Sequence, residues 1–165
     1  MPVTSVTPDL DNRSLTIVAD FAAPVERIWA IYADPRQLEQ VFGPPTYPAT
    51  FVDHDLTPGG RMTYYMTSPE GEKFGGYWSV ASVDEPQGFA FSDGFALETE
   101  TFAPNPDLPE SQNTYAFEAT DTGTRATYVS TFATAEALQT VLDMGVVEGA
   151  TGAINQIDGL VADAA

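Results

Sequence analysis

The sequence predicts an α+β fold: a curved antiparallel sheet wrapped around a long C-terminal helix, with two short helices after the first strand. Three observations predict it. Val147, Ala150, Ile154, Ile157 and Val161 recur at steps of three and four, which places them on one helix face. From Thr46 to Phe132 the apolar period falls to two, and Gly/Pro/Asp clusters break the run into strands. Between the first strand and Gly43-Pro44-Pro45 the spacing is again helical, but only briefly.

The elements follow in order. Residues 1–13 carry Pro2, Pro8, Asp9 and Asp11 without periodicity and are expected to be a flexible tail; a single domain is expected over 14–165. Ser14 to Phe21 alternates Leu15, Ile17, Ala19 and Phe21 with polar residues, a strand with one buried face. Pro24 suits a first helical turn, Glu26 favours the helix dipole, and Val25, Ile28, Trp29 and Tyr32 form an apolar stripe. Asp34-Pro35 stops that helix and caps a second, with Leu38 and Val41 facing inward. Arg27 and Arg36 fall on the helix surface, within reach of Glu26, Asp34 or Glu39.

Tyr47 to Asp53 and Arg61 to Met66 read as strands joined at Pro58-Gly59-Gly60. Ser68-Pro69-Glu70-Gly71 turns the chain into Phe74 to Val83, and Asp84 to Gly88 turns it again into Phe89 to Ser92. Leu97 to Thr101 is extended chain or loop. Pro104, Pro106 and Pro109 exclude a central strand at 103–110. Thr114 to Ala119 and Thr124 to Phe132 form a last hairpin, and Thr134 caps the terminal helix. Gly145, Gly149 and Gly152 each cost about 1 kcal/mol in a helix relative to alanine. One of them is expected to end a short first segment near Gly145, and the others to permit close approach of sheet or ligand.

Composition narrows the function. There is no cysteine, so disulfides, thiolate catalysis and cysteine-held metals are excluded. The net charge of −18 comes from 24 acidic and 6 scattered basic residues, which argues against nucleic acid or an anionic membrane as partner. Such a surface fits plain solubility, high-salt adaptation or a GC-rich genome. No apolar run is long enough to span a bilayer, and the N-terminal residues do not read as a signal peptide, so a cytoplasmic location is expected. His54 is the single histidine, flanked by Asp53 and Asp55. A structural role is expected for it; a Ser-His-Asp triad and a histidine-rich metal site are not. Gly59-Gly60 and Gly75-Gly76 are read as a turn and a bend in the sheet. No phosphate-binding glycine motif, cofactor or metal is implied.

Four motifs, in order, resemble the activator of Hsp90 ATPase homologue 1-like family, a branch of the SRPBCC (START/Bet v 1-like) superfamily. They are Phe21-Ala22-Ala23-Pro24-Val25-Glu26-Arg27-Ile28-Trp29; Asp34-Pro35 with Phe42-Gly43-Pro44; Asp55-Leu56-Thr57-Pro58-Gly59-Gly60-Arg61 with Ser68-Pro69-Glu70-Gly71; and Asp143-Met144-Gly145-Val146-Val147-Glu148-Gly149. Two tryptophans usual before the Gly-Pro are here Val41-Phe42, and the usual aromatic after Gly149 is Ala150. The resemblance covers roughly Ser14 to Ala162. It implies the helix-grip fold, with a cavity between sheet and terminal helix, and relatives that bind lipids, sterols or aromatic compounds or that cyclise polyketides.

With that fold, the expected ligand pocket is lined by the strand aromatics Phe51, Tyr64, Trp78, Phe91 and Phe117, together with Phe42 and Met66. The helix contributes Val147, Ala150 and Ile154. Ala150, small where an aromatic is usual, leaves room. Arg61 is the candidate anchor for an anionic head group, with a surface ion pair as the alternative. The leading expectation is a module that binds a hydrophobic or aromatic small molecule, with no catalytic residue assigned. The alternatives are a cyclase- or aromatase-like enzyme in which Tyr64, Arg61 or His54 polarises a carbonyl, and a co-chaperone-like module that binds a protein partner.

Overall fold

The computed structural model describes residues 2–163; Met1 and the last two residues of the expected 14–165 domain lie outside them. The chain runs β1 (Val3–Asp9), β2 (Ser14–Phe21), α1 (Val25–Ala33), α2 (Pro35–Phe42), β3 (Ala49–His54), β4 (Arg61–Thr67), β5 (Lys73–Asp84), β6 (Gly88–Phe95), β7 (Ser111–Thr120), β8 (Gly123–Phe132), α3 (Ala135–Asp143), α4 (Val146–Asn155) and α5 (Ile157–Asp163). The strands form one antiparallel sheet in the order β1-β2-β8-β7-β6-β5-β4-β3. The helical pair α1–α2 carries the chain from β2 to β3 at the far edge. This is the helix-grip architecture.

Register shifts in β3 between Phe51 and Asp53, and in β5 between Val80 and Ser82, mark irregularities in the ladder. Such bulges bend and twist a strand, and so help curl the sheet toward the helices. The inner face presents Leu15, Ile17, Ala19 and Phe21 of β2, Phe89 and Phe91 of β6, and Ala126 and Tyr128 of β8, all buried. All but Leu15 meet Ile28, Ile31 and Leu38 from α1 and α2, and Ile154 and Ile157 from α4 and α5, in one continuous core. A smaller cluster seats α3 through Leu138 and Val141 on Leu15 and Phe132.

Local chemistry sets the helix boundaries. Asp34 caps α2 by accepting from Arg36 N–H at 2.9 Å, and Thr134 caps α3 by accepting from Ala137 N–H at 3.0 Å. Arg36 pairs with Glu39 at 3.4 Å, whereas Arg27 donates to the uncharged Gln37 at 2.7 Å.

One expectation is corrected. Residues 3–9 form β1 instead of a flexible tail. An edge strand is held by backbone ladder bonds to one neighbour, so it needs no strong apolar alternation and tolerates Pro8. The terminal helix is segmented, with the expected break near Gly145. Gly145 adopts φ +88° and separates α3 from α4, and a break at Gln156 separates α4 from α5. The Gln156 side chain spans to the end of α2, donating to the Gly43 carbonyl at 2.7 Å.

Candidate functional site: a cavity under the terminal helices

The inner face of the sheet is not filled by the helices. A cavity of about 390 Å³, partly open to solvent, lies between α2, α3 and α4 and strands β2, β4, β6, β7 and β8. Its walls are chiefly apolar: Leu38, Val41 and Phe42 from α2, Met66 from β4, and Ala150, Ala153 and Ile154 from α4. Gly149 also lines it, and a Cβ built there would meet nothing within 4 Å.

The polar groups gather on the sheet side, and strand parity explains how they arrive. In β6 the inward positions are Phe89, Phe91, Asp93 and Phe95, so an aspartate follows two phenylalanines onto the apolar face. Asp93 is paired in register with Ser111 of β7, and Asn113 of β7 with Ser130 of β8. Both pairs line the cavity. Ser130 Oγ donates to Asn113 Oδ1 at 2.6 Å, and Asn113 Nδ2 donates to Ser111 Oγ at 3.0 Å. These groups satisfy one another.

Asp93 is held by Tyr64, whose hydroxyl donates to Asp93 Oδ1 at 3.0 Å. The Tyr64 ring can lie there because its partner across the ladder is Gly76; a Cβ at that position would come within 2.4 Å of the ring. Burial pushes the Asp93 carboxyl up to about 7, and the charge of Glu110 adds to it; the Tyr64 hydroxyl and the Gly94 N–H pull the other way. Tyr64 is itself raised well above the usual tyrosine range, first by burial and then by Asp93. It is therefore a neutral donor at any physiological pH. Trp78 Nε1 makes no hydrogen bond of good geometry, yet its N–H acts on the Tyr64 oxygen.

Two further tyrosines, Tyr32 and Tyr128, close the far wall with their hydroxyls 2.9 Å apart. Both are raised above the usual range, chiefly by burial. Tyr115 lies against Tyr128, ring centroids 4.6 Å apart. Its hydroxyl makes no hydrogen bond among the described residues and borders the cavity. Among the described residues the cavity lining contains no lysine, arginine or histidine, and Asp93 is its one charged side chain. No group of three or more histidine or acidic side chains among them is placed to hold a metal ion.

The structure divides the residues that the sequence nominated. Phe42, Tyr64, Met66, Ala150 and Ile154 border the cavity. Phe51, Trp78, Phe91 and Phe117 face the same side but are spent on packing: Trp78 stacks on Phe91 at 3.9 Å, Phe51 tilts against Tyr64, and Phe117 stacks on Tyr32. Val147 turns to the smaller cluster under α3.

Arg61 is on the wrong face for an anchor. It has the opposite parity to Met62, Tyr64 and Met66, so it points away from the cavity. There its guanidinium donates to the carbonyls of Phe102 at 2.7 Å and Thr101 at 3.3 Å. It pins a loop in which Phe102 is buried at φ +56°. His54 is also outside the cavity lining, its Nε2 2.8 Å from the Tyr32 carbonyl.

Asp93, Ser111, Asn113, Tyr115 and Ser130 are not among the residues that the sequence nominates. One signal was available for Asp93: an acid at an inward position of an otherwise aromatic alternation.

Comparison with known proteins accords with this architecture. The family model for activator of Hsp90 ATPase homolog 1-like protein matches residues 22–162. The crystal structure of protein Ms6760 from Mycobacterium smegmatis is 67% identical, covers 96% of both chains and superposes with a TM-score of 0.88. A solution structure of a protein from Arthrobacter aurescens is 44% identical over 98% of this chain and 92% of the other, with a TM-score of 0.92. The AHSA1 protein from Silicibacter pomeroyi, 21% identical over 92% and 99% of the two chains with a TM-score of 0.73, shares the fold. No curated protein matches the sequence.

Proposed function

The chain belongs to the activator of Hsp90 ATPase homolog 1-like family, and from that premise we propose that it is a binding module that takes a small hydrophobic or aromatic molecule into the cavity under α4. One observation carries the reading: the helix wall is left unfilled, with Gly149 and Ala150 bordering open space. A volume of about 390 Å³ falls in the range of small-molecule sites. An apolar lining with a few convergent polar groups is also typical of them. A cavity this large that stayed empty would forfeit packing contacts along its whole lining.

The test is to fill the space. N-phenylnaphthylamine, a neutral fluorescent ring compound, is expected to bind the wild type saturably. Ala150→Trp is expected to weaken it by at least about tenfold while the circular dichroism spectrum stays unchanged. Equal binding by both proteins would overturn the reading. So would no binding of the probe together with no co-purifying molecule in native mass spectrometry.

A second reading, an enzyme acting in the same cavity, is favoured by the Tyr64–Asp93 hydrogen bond at the cavity wall. In that reading Tyr64 turns its single hydroxyl hydrogen from Asp93 to a substrate carbonyl oxygen, and the ionised Asp93 carboxylate takes the proton from the carbon next to it. Deuterium incorporation next to the carbonyl of tetralone, measured by NMR and abolished by Asp93→Asn, would support it; exchange at the uncatalysed rate would exclude it for this probe.

A further inference from the structure

We infer that the Asp93 end of the cavity selects molecules that carry a hydrogen-bond donor, a hydroxyl or an amine, on an apolar ring body, and rejects acids. The inference rests on the proposed use of the cavity and names the class of molecule it takes.

The argument is one of unmet partners. Tyr64 is the only side chain that hydrogen-bonds Asp93 among the described residues. A carboxylate offers about four acceptor sites, so acceptor capacity remains on this cavity-lining group beyond the Tyr64 hydroxyl and the Gly94 N–H. Nearby, the Tyr115 hydroxyl makes no hydrogen bond among the described residues and can accept or donate. The other polar lining groups are bonded among themselves, Ser111, Asn113 and Ser130 in one set and the Tyr32 and Tyr128 hydroxyls in another. The apolar body of a ligand would lie toward Phe42, Met66 and Ala150.

The charges point the same way. Tyr64 from β4, Tyr77 from β5, Glu110 at the entry to β7, and Tyr115 from β7 are the titratable groups that act with Asp93. None is basic. The helices α2, α3 and α4 contribute no titratable group to the lining. An acid entering the cavity would place a second negative charge beside Asp93 with no cation to meet it, at the cost of desolvating both. The net charge of −18 further disfavours anions at the mouth. A donor does the reverse: it occupies the open acceptor positions and, if cationic, favours the ionised carboxylate.

The experiment uses four probes on one ring system: methylnaphthalene, naphthylmethanol, naphthylmethylamine and naphthoate. Each is titrated by calorimetry into the full chain at about pH 6 and about pH 8. The amine stays cationic and the acid anionic over that range. At the higher pH the alcohol and the amine are expected to bind at least about tenfold tighter than methylnaphthalene, the scale of a hydrogen bond to a charged group, with naphthoate weakest. As pH rises through about 7, where Asp93 ionises, the amine should tighten and naphthoate weaken, while methylnaphthalene stays level. Asp93→Asn should remove both pH trends and narrow the amine-to-acid ratio by about tenfold or more. The wild-type pH series stands even if that variant does not fold.

Naphthoate binding as tightly as the amine, or a ranking unchanged by Asp93→Asn, would overturn the inference. If methylnaphthalene binds but the ranking is absent, the selectivity falls and the cavity reading survives. If none of the four binds, the cavity reading falls and takes this inference with it.

Discussion

Asp93 enters the apolar face because strand parity puts it there, and burial then raises its carboxyl to about 7. An unfolded aspartate titrates near the ordinary value of about 3.9. Between these values the folded protein holds a proton that the unfolded chain has released. Asp93 therefore favours the folded state most at acid pH, and this contribution is lost as pH rises through about 7. Urea unfolding of the wild type and Asp93→Asn should diverge across this window. Relative to the wild type, the variant should gain on the order of 2–4 kcal/mol between about pH 4 and pH 8. A constant difference would show that Asp93 titrates normally. Tyr32 and Tyr128 give a second test at this scale. Tyr32→Phe leaves the Tyr128 hydroxyl without its 2.9 Å partner and should cost about 1–2 kcal/mol. The double variant Tyr32→Phe/Tyr128→Phe should cost less than the sum of the singles, because both ends of the bond are then apolar. Additive losses would mean that the pair is not coupled.

At the scale of an element, the terminal helix is decided by two glycines four residues apart with opposite roles. Gly145 sits at φ +88°, where a side chain is strained even though its nearest neighbour would be 3.8 Å away. Gly149 lies inside α4 with ordinary helical backbone and open space beyond it. Gly145→Ala should therefore destabilise by about 1 kcal/mol or more, and Gly149→Ala should stabilise by up to about 1 kcal/mol. In a chain of this length that is a shift in Tm of roughly 2–4 °C in opposite directions. Shifts of the same sign in thermal melts would contradict the assignment of the break to Gly145. Val147 leaves the cavity because the first turn of α4 packs it against the cluster under α3, and the apolar series from Val147 to Val161 is interrupted by the second break, at Gln156.

At the scale of the whole molecule, charge is the outstanding term. Among the described residues only two ion pairs form, Arg36–Glu39 and Arg125–Asp20. Most of the 24 acidic residues are therefore offset by nothing but solvent and salt. Self-repulsion of a net charge of −18 should be relieved by screening, which shortens the Debye length from about 10 Å at 0.1 M to about 3 Å at 1 M. Tm at neutral pH should rise over that range of sodium chloride. A flat or falling Tm would show that the repulsion is already dispersed. Among the described residues, no helix is long and apolar enough to cross a membrane.

Much of this is legible in the sequence. The order of strands and helices, the caps at Asp34 and Thr134 and the break near Gly145 all follow from local patterns, because periodicity, capping and turn chemistry act within a few residues. The four family motifs carry the helix-grip fold. β1 escapes the sequence because an edge strand is specified by ladder bonds to its neighbour, β2, more than by its own alternation. Arg61 could have been set aside from parity alone, since it alternates with Met62, Tyr64 and Met66. What the sequence by itself determined is which side chains share a face. What only the tertiary structure decided is which of those faces stay open. Trp78 and Phe91 are inward residues, as Tyr64 is, but they are consumed by stacking on each other, whereas Tyr64 keeps its hydroxyl at the wall beside Asp93. That difference depends on sheet curvature, on ladder register and on the room left at Gly76, Gly149 and Ala150, all of which sum contacts between residues far apart in the chain.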